Sequence, residues 1–290
     1  MKAVRRGLRR VVERTPLLAR IYRDVREELR IARTPLVITP HGFRLQGDRS
    51  MQTGTFEPEE TALIARLLER ADLFVDIGAN VGYYTCLARS RGKHVVAIEP
   101  LASNLRRLYR NLDANGWKDV EVWPLGLSAD VGTARLYGAA TGASLVPGWS
   151  GASEVFAQII PIQRLDCLLG GRFDGKQILI KIDVEGAELG TLRGAAATLR
   201  RTPQPWWLIE ISAVGQSTGP NPHFADTFRL LRQAGYTPYT GNRACQPLDP
   251  TQIDHIAATG DNRIYNWLFL PEALGSTIGI VVVGDPSDRV

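Results

Sequence analysis

The stretch that decides the fold is Leu73-Phe-Val-Asp-Ile-Gly-Ala-Asn-Val-Gly82, followed by a second apolar run, His94-Val-Val-Ala-Ile-Glu-Pro100. The separation of Asp76 from Glu99 leaves room for one strand, one helix and one strand, which is a βαβ unit. Gly78 and Gly82 lack a Cβ, so the chain between strand and helix can turn sharply and come close to a ligand. Glu99 falls at the end of the second strand, where a carboxylate can accept hydrogen bonds from both hydroxyls of a ribose. Together these residues read as a nucleoside-cofactor site.

Glycine spacing separates the cofactors that use this layout. A dinucleotide fingerprint needs G-x-G-x-x-G, with a pyrophosphate at the helix N-terminus. Here the spacing is G-x-x-x-G, no basic residue accompanies the loop, and Asp76 places a negative charge where a pyrophosphate would lie. This argues against an NAD-dependent oxidoreductase and for a ligand with a cationic head, such as the ammonium and sulfonium of S-adenosylmethionine.

With 290 residues and 44% hydrophobic side chains, the chain can bury the core of one large α/β domain and carry an N-terminal extension as well. Residues 1–49 are read as that extension and 50–290 as the domain, with an insertion at about 126–175. Cys86, Cys167 and Cys245 have no close pair, which indicates neither a disulfide framework nor a zinc site; they read as small core residues in a reducing compartment.

Positive charge is concentrated at one end. Residues 1–34 hold eleven Lys and Arg against four Asp and Glu, so the net +5 of the chain belongs to the extension. Thr15-Pro16 divides it into two amphipathic helical pieces, the second with Leu18, Ile21, Tyr22, Val25 and Leu29 on one face. Packing on the domain or on a second copy is the first expectation, and peripheral contact with an anionic membrane the second. No aromatic residues are interleaved with the arginines as a nucleic-acid stacking platform requires. No run of 18 apolar residues and no signal-peptide pattern is present, so the expected location is cytoplasmic.

Strand and helix alternate through the rest, as in a mostly parallel, doubly wound sheet of seven strands. Helices are expected at Glu57–Arg70, Val81–Ser90, Ser103–Ala114, Ala187–Arg200 and His223–Ala234. Strands are expected at Leu73–Ile77, His94–Ile98, Val120–Leu125, Gln177–Asp183, Trp206–Ser212, Tyr236–Tyr239 and Tyr265–Leu270, the last antiparallel. Short strands at Ala134–Tyr137 and Val155–Pro161 fall in the insertion, and Thr277–Val283 forms an edge strand or a tail.

The runs Phe74-Val-Asp-Ile-Gly-Ala-Asn-Val-Gly-Tyr-Tyr-Thr85, Ala97-Ile-Glu-Pro100 and Lys181-Ile-Asp-Val-Glu-Gly-Ala-Glu188 resemble the FkbM-type methyltransferases, as do Asn104, Asn111 and the segment Met51–Glu57. The resemblance spans roughly residues 50–240 and is most specific in Lys181–Glu188. It implies a class I methyltransferase (Rossmann-like) fold, S-adenosylmethionine as cofactor, and O-methylation of a sugar or natural-product hydroxyl. On that reading Asp76, Gly78, Asn80 and Gly82 surround the methionine part of the cofactor, Glu99 and Pro100 its ribose, and Gly126 and Leu127 its adenine.

Methyl transfer to a hydroxyl needs alignment and a base that removes a proton. Asp183, at the end of the fourth strand, is the first candidate and His223, in a Pro- and Gly-rich loop, the second. Asp183, Glu185 and Glu188 crowd one turn and will not all ionise without a cation or donors nearby; the carboxylate of Glu188 also suits the start of the following helix. Glu185, Glu210 and Trp149 are candidate acceptor contacts, with Thr141–Trp149 as a lid. Asp183 and Glu210 end neighbouring strands, but no third ligand is evident and no metal is expected. A non-catalytic scaffold using its basic helices would have no need of Asp76, Glu99 and Asp183 together.

Overall fold

The computed structural model describes residues 33–138, 142–149, 157–215, 219–260 and 263–277. The basic helices expected within 1–32, the lid residue Thr141 and most of the tail after Thr277 lie outside the described residues. Seven strands form the central sheet: β1 (Leu73–Ile77), β2 (His94–Ile98), β3 (Glu121–Trp123), β4 (Ile178–Ile182), β5 (Trp206–Glu210), β6 (Tyr236–Thr240) and β7 (Asn266–Pro271). Their order is β6-β7-β5-β4-β1-β2-β3. Strands β1 to β5 run parallel to their neighbours, and β7 is antiparallel to both β5 and β6. This is the seven-stranded, mostly parallel sheet of class I methyltransferases, with the antiparallel last strand as expected.

The parallel strands are apolar because helices cover both faces, and each face takes alternate residues. On one side Phe74, Val95, Leu179, Trp206 and Leu268 pack under α1 (Pro58–Arg70), α2 (Tyr83–Ser90) and α3 (Ala102–Ala114). On the other, Val75, Ile98, Ile180, Trp207 and Phe269 meet α4 (Glu188–Arg193), α5 (Phe224–Gln233) and α6 (Pro250–Thr259). The adjacent Trp206 and Trp207 thus serve opposite faces. Phe43, Leu45 and Met51, from a short hairpin and a one-turn helix ahead of α1, are buried in the first of these cores. Part of the segment read as extension therefore packs into the domain.

Several elements depart from the sequence reading for identifiable reasons. The helix expected over Ala187–Arg200 ends at Arg193, and at Gly194 the chain passes so close to Ser128 that a Cβ would stand 2.1 Å from its carbonyl oxygen. The Asp166 carboxylate then accepts from the Ala197 and Thr198 amides and starts a separate 3-10 turn. Helix α6 was not expected; Asp249-Pro250 starts it, with Gln252 completing a capping box. In the insertion, Gly126–Leu127, Gly132–Leu136 and Gln158–Gln163 make a separate three-stranded sheet. All three cysteines are free, and Cys167 is exposed rather than a core residue.

Candidate active site

Open parallel sheets bind ligands beyond the carboxyl ends of their strands, and there the cleft opens. Gly78 and Asn80 after β1, Glu99 and Pro100 after β2, Gly126 and Leu127 after β3, and Asp183 to Glu185 after β4 line it. The small sheet of the insertion brings Leu136, Ala143 and Leu145 against Ile98, Leu125 and Leu127, which gives the cleft an apolar slot beside its carboxylates.

Glu99 organises the cleft. Its Oε2 accepts the Asn80 amide at 2.8 Å, and its Oε1 accepts the Leu101 amide at 2.8 Å and the Asn104 side chain at 3.3 Å. Its pKa is raised to about 7, because burial outweighs the lowering by these donors. The carboxylate is therefore held in one orientation at the cleft wall. Asn80 contributes its backbone, held at φ 52°.

Three residues expected around the methionine part have other work. Asp76 is 1% exposed and is absent from the cleft wall. It shares a sheet face with Phe74, so its side chain points under α2, where the Thr85 hydroxyl donates to it at 2.6 Å. Burial raises its pKa, and Lys181 opposes that rise. A Cβ on Gly78, at φ 82°, would fall 1.8 Å from the Asp183 carbonyl oxygen, so this glycine lets two strand ends touch. A Cβ on Gly82 would fall 2.3 Å from Leu108 Cδ1, so the second glycine serves helix packing. Gly82 is not part of the cleft wall.

The cation that the crowded carboxylates require is Lys181, which the sequence reading left unassigned. It lies in the middle of β4, opposite Asp76 in the register of the parallel pair. Its Nζ is 3.1 Å from Asp183 Oδ2, 3.5 Å from Glu60 Oε1 and 5.0 Å above the Tyr84 ring. Asp183 heads the groups that hold the lysine protonated against burial. Glu60, on the inner stripe of α1, was also missed; burial is the main cause that raises its pKa, with Glu57 and Asp183 adding to it. Glu57 accepts from the Tyr84 hydroxyl at 2.8 Å. The signal was available: a lysine inside Ile-Leu-Ile-Lys-Ile needs a buried counter-charge, and Glu60 is spaced with Ile64 and Leu67 on one helix face.

Glu185 borders both the cofactor cleft and a second cavity, whose wall includes Glu57, Trp149, Glu210 and Tyr265. Its backbone is at φ 52°. The Trp149 indole N–H donates to its Oε2 at 3.0 Å and the Ser144 hydroxyl donates to its carbonyl. Trp149 is 4% exposed, and its ring lies over Gly186, where a Cβ would come within 2.6 Å. The tryptophan thus anchors segment 142–149 over the strand ends, and only part of its ring reaches the second cavity. Glu188 turns back to accept the Gly186 amide at 2.7 Å, and burial raises its pKa to about 8.

His223 is not brought to either cavity. It is exposed at the N-terminus of α5, its amide donates to the Asn221 side chain, and its carbonyl accepts from Thr227. The structure therefore leaves Asp183 as the candidate base that borders the cofactor cleft. Among the described residues, no group of three His, Cys, Asp or Glu side chains converges to hold a metal ion.

The cleft fits S-adenosylmethionine on its own chemistry. Glu99 offers a fixed acceptor to a ribose, the leucines and Ala143 offer an apolar slot to an adenine, and Asp183 and Glu185 offer negative charge to a sulfonium or ammonium.

Comparison with known proteins agrees. The sequence profile of the Methyltransferase FkbM domain matches residues 76–238, more than half of the chain. No curated protein matches. Among solved structures, the precorrin-6y C5,15-methyltransferase from Geobacter metallireducens is 12% identical, with 78% of this chain and 94% of that one covered and a TM-score of 0.40. The ribosomal protein L11 methylase from Lactobacillus delbrueckii is 12% identical over 73% of this chain and 78% of that one, with a TM-score of 0.39. A putative O-methyltransferase from Klebsiella pneumoniae is 15% identical over 72% and 76%, with a TM-score of 0.36. The glycine spacing, the cleft chemistry and the profile converge, and the chain belongs to the FkbM methyltransferase family, whose S-adenosylmethionine-dependent chemistry it shares.

Proposed function

We propose that this methyltransferase acts on oxygen, transferring a methyl group to a hydroxyl of a small-molecule acceptor, a sugar or another natural product, with Asp183 as base. The observation that carries this reading is the meeting of two cavities at Glu185, two residues from Asp183 on the wall of the first. One has the chemistry of a nucleoside site, and the other is polar and open to an acceptor.

S-adenosylmethionine, when bound, supplies an electrophilic methyl group on a positively charged sulfur. Glu99 would hold its ribose, Gly126, Leu127 and Leu145 its adenine, and the chain at Gly78 to Asn80 its amino-acid part. Asp183, with one oxygen on Lys181, would use the other to orient the acceptor hydroxyl and take the proton it loses. Lys181 keeps that carboxylate in one position and offsets its charge, so alignment supplies much of the rate. Glu185 and Glu210 would face the acceptor. Segment 142–149, fastened through Trp149 and Ser144, would shield the reacting atoms from water.

Incubating the protein with methyl-labelled S-adenosylmethionine and a panel of sugars and hydroxylated polyketides tests the reading. The expected product is a methyl ether located by mass spectrometry. Label found only on nitrogen or carbon overturns it. Calorimetric binding of S-adenosylhomocysteine is the accompanying control.

A further inference from the structure

The cavity on the acceptor side adjoins another, and Glu57 and Tyr265 line both. Their walls share one property. Glu57, Glu185 and Glu210 face the first, and Glu60 and Asn266 face the second. Glu60 is 3% exposed, and neither of its carboxylate oxygens has a hydrogen-bond donor. The buried side-chain oxygen of Asn266 has none either. Among the described residues, Glu210 also has no donor, and the carboxylates of Asp183, Glu60 and Glu57 drive its pKa up further after burial has raised it. As carboxylates these side chains offer acceptors only, as does the Asn266 oxygen, and the raised pKa values of Glu60 and Glu210 record a proton taken up where no cation is supplied.

Internal cations are too few for this wall. Lys181 is committed to Asp183 at 3.1 Å and stands 3.5 Å from one oxygen of Glu60. Arg263 lines only the second cavity, is exposed, and already has an interaction of its own. A carboxylate that is taken out of water without a donor is costly, and so is an amide oxygen. A compact metal ion does not answer the need, because among the described residues no three such side chains converge. The acceptors are spread around cavities of about 280 and 250 Å³, which suits a ligand that carries several N–H and O–H donors on one frame.

We infer that the acceptor bears an ammonium group, as an amino sugar or aminocyclitol does, held between Glu210 and Glu57 while a neighbouring hydroxyl is presented to Asp183. This rests on the small-molecule hydroxyl reading proposed above. It specifies the class of acceptor: a cationic polyol in place of a neutral sugar or macrolide.

Two probes with the same hydroxyls and different charge test it: kanamycin, and kanamycin acetylated on every nitrogen. Calorimetry on the full chain saturated with S-adenosylhomocysteine should give at least about tenfold tighter binding for kanamycin. Glu210→Gln should remove most of that difference and leave S-adenosylhomocysteine affinity unchanged. Glu57→Gln serves as the second variant, and the wild-type comparison needs no variant at all. Equal affinity for the two probes, binding of neither, or a preference untouched by either variant overturns the inference. Product analysis with methyl-labelled cofactor separates the two layers: transfer to a kanamycin nitrogen sinks the hydroxyl reading while ammonium recognition stands, and neutral probes methylated on oxygen as well as kanamycin do the reverse.

Discussion

The two halves of the site are built on opposite terms. On the cofactor side, Glu99 meets three donors, two of them backbone amides whose positions are set by β1 and β2. On the acceptor side, Glu60 and Asn266 have acceptor atoms without donors, burial and nearby carboxylates push the Glu210 pKa up, and one lysine serves several carboxylates. The first half is organised before anything binds, as a site for an invariant cofactor should be. The second leaves buried polar atoms that the described residues do not satisfy.

The strongest way to break this contrast is to remove its one internal cation. Lys181→Met leaves Asp183, Glu60 and Asp76 facing one another without compensation, and loss of one partner from a buried pair costs about 3–5 kcal/mol. Denaturant unfolding should show that loss, with part of it recovered in Lys181→Met combined with Glu60→Gln. A variant as stable as the parent would mean that the carboxylates are already neutral.

Asp183→Asn comes next. It keeps the shape of the side chain but removes its basicity, so turnover should fall by about 10²–10⁴-fold. Calorimetric affinity for S-adenosylhomocysteine should stay close to that of the parent. Near-normal turnover would remove Asp183 as the base.

Glu99→Gln probes the organised half. Hydrogen bonds to a charged acceptor contribute about 1.5–3 kcal/mol each, so cofactor affinity should fall about tenfold or more, with only a small change in melting temperature. Glu99→Ala should cost stability as well, because the Asn80 and Leu101 amides lose their acceptor. Unchanged affinity in both would remove the ribose assignment.

The smallest effect is the pH dependence of stability. Glu99 and Glu188 are raised to about 7 and about 8, above the ordinary carboxylate value of about 4.5. The folded chain thus binds more protons than the unfolded chain in that interval, and stability falls as pH rises from about 4.5 to about 8. Melting temperatures should decline across this range. A rise over the same range would contradict the burial assigned to these two carboxyls.

The same division decided what the sequence could tell. Glu99, Pro100, Gly126, Leu127 and Asp183, expected at strand ends from local pattern and the βαβ unit, line the cleft. Asp76 was misread: its proximity to the loop suggested a ligand contact, yet period-2 alternation along β1 puts it with Phe74, beneath a helix. Gly82 was misread in the same way, since close approach to a ligand and close approach to Leu108 look alike in sequence. Lys181, Glu60 and Glu57 come from β4 and the start of α1, and only the fold brings them together. His223 looked chemical in isolation, and its place at the start of α5 took it away from the site.

The contact between Gly78 and the Asp183 carbonyl has one more consequence. With no room for even a methyl group between them, the loop after β1 and the end of β4, which carries the proposed base, behave as a single mechanical part. Variation in either is constrained by the other. Glu210, Ser212, Val214 and Tyr265, on β5, just after it, and just before β7, are not among the atoms nearest to Gly78. Selection, natural or in the laboratory, can therefore exchange acceptors by rewriting that edge while the methyl-donating apparatus is inherited intact.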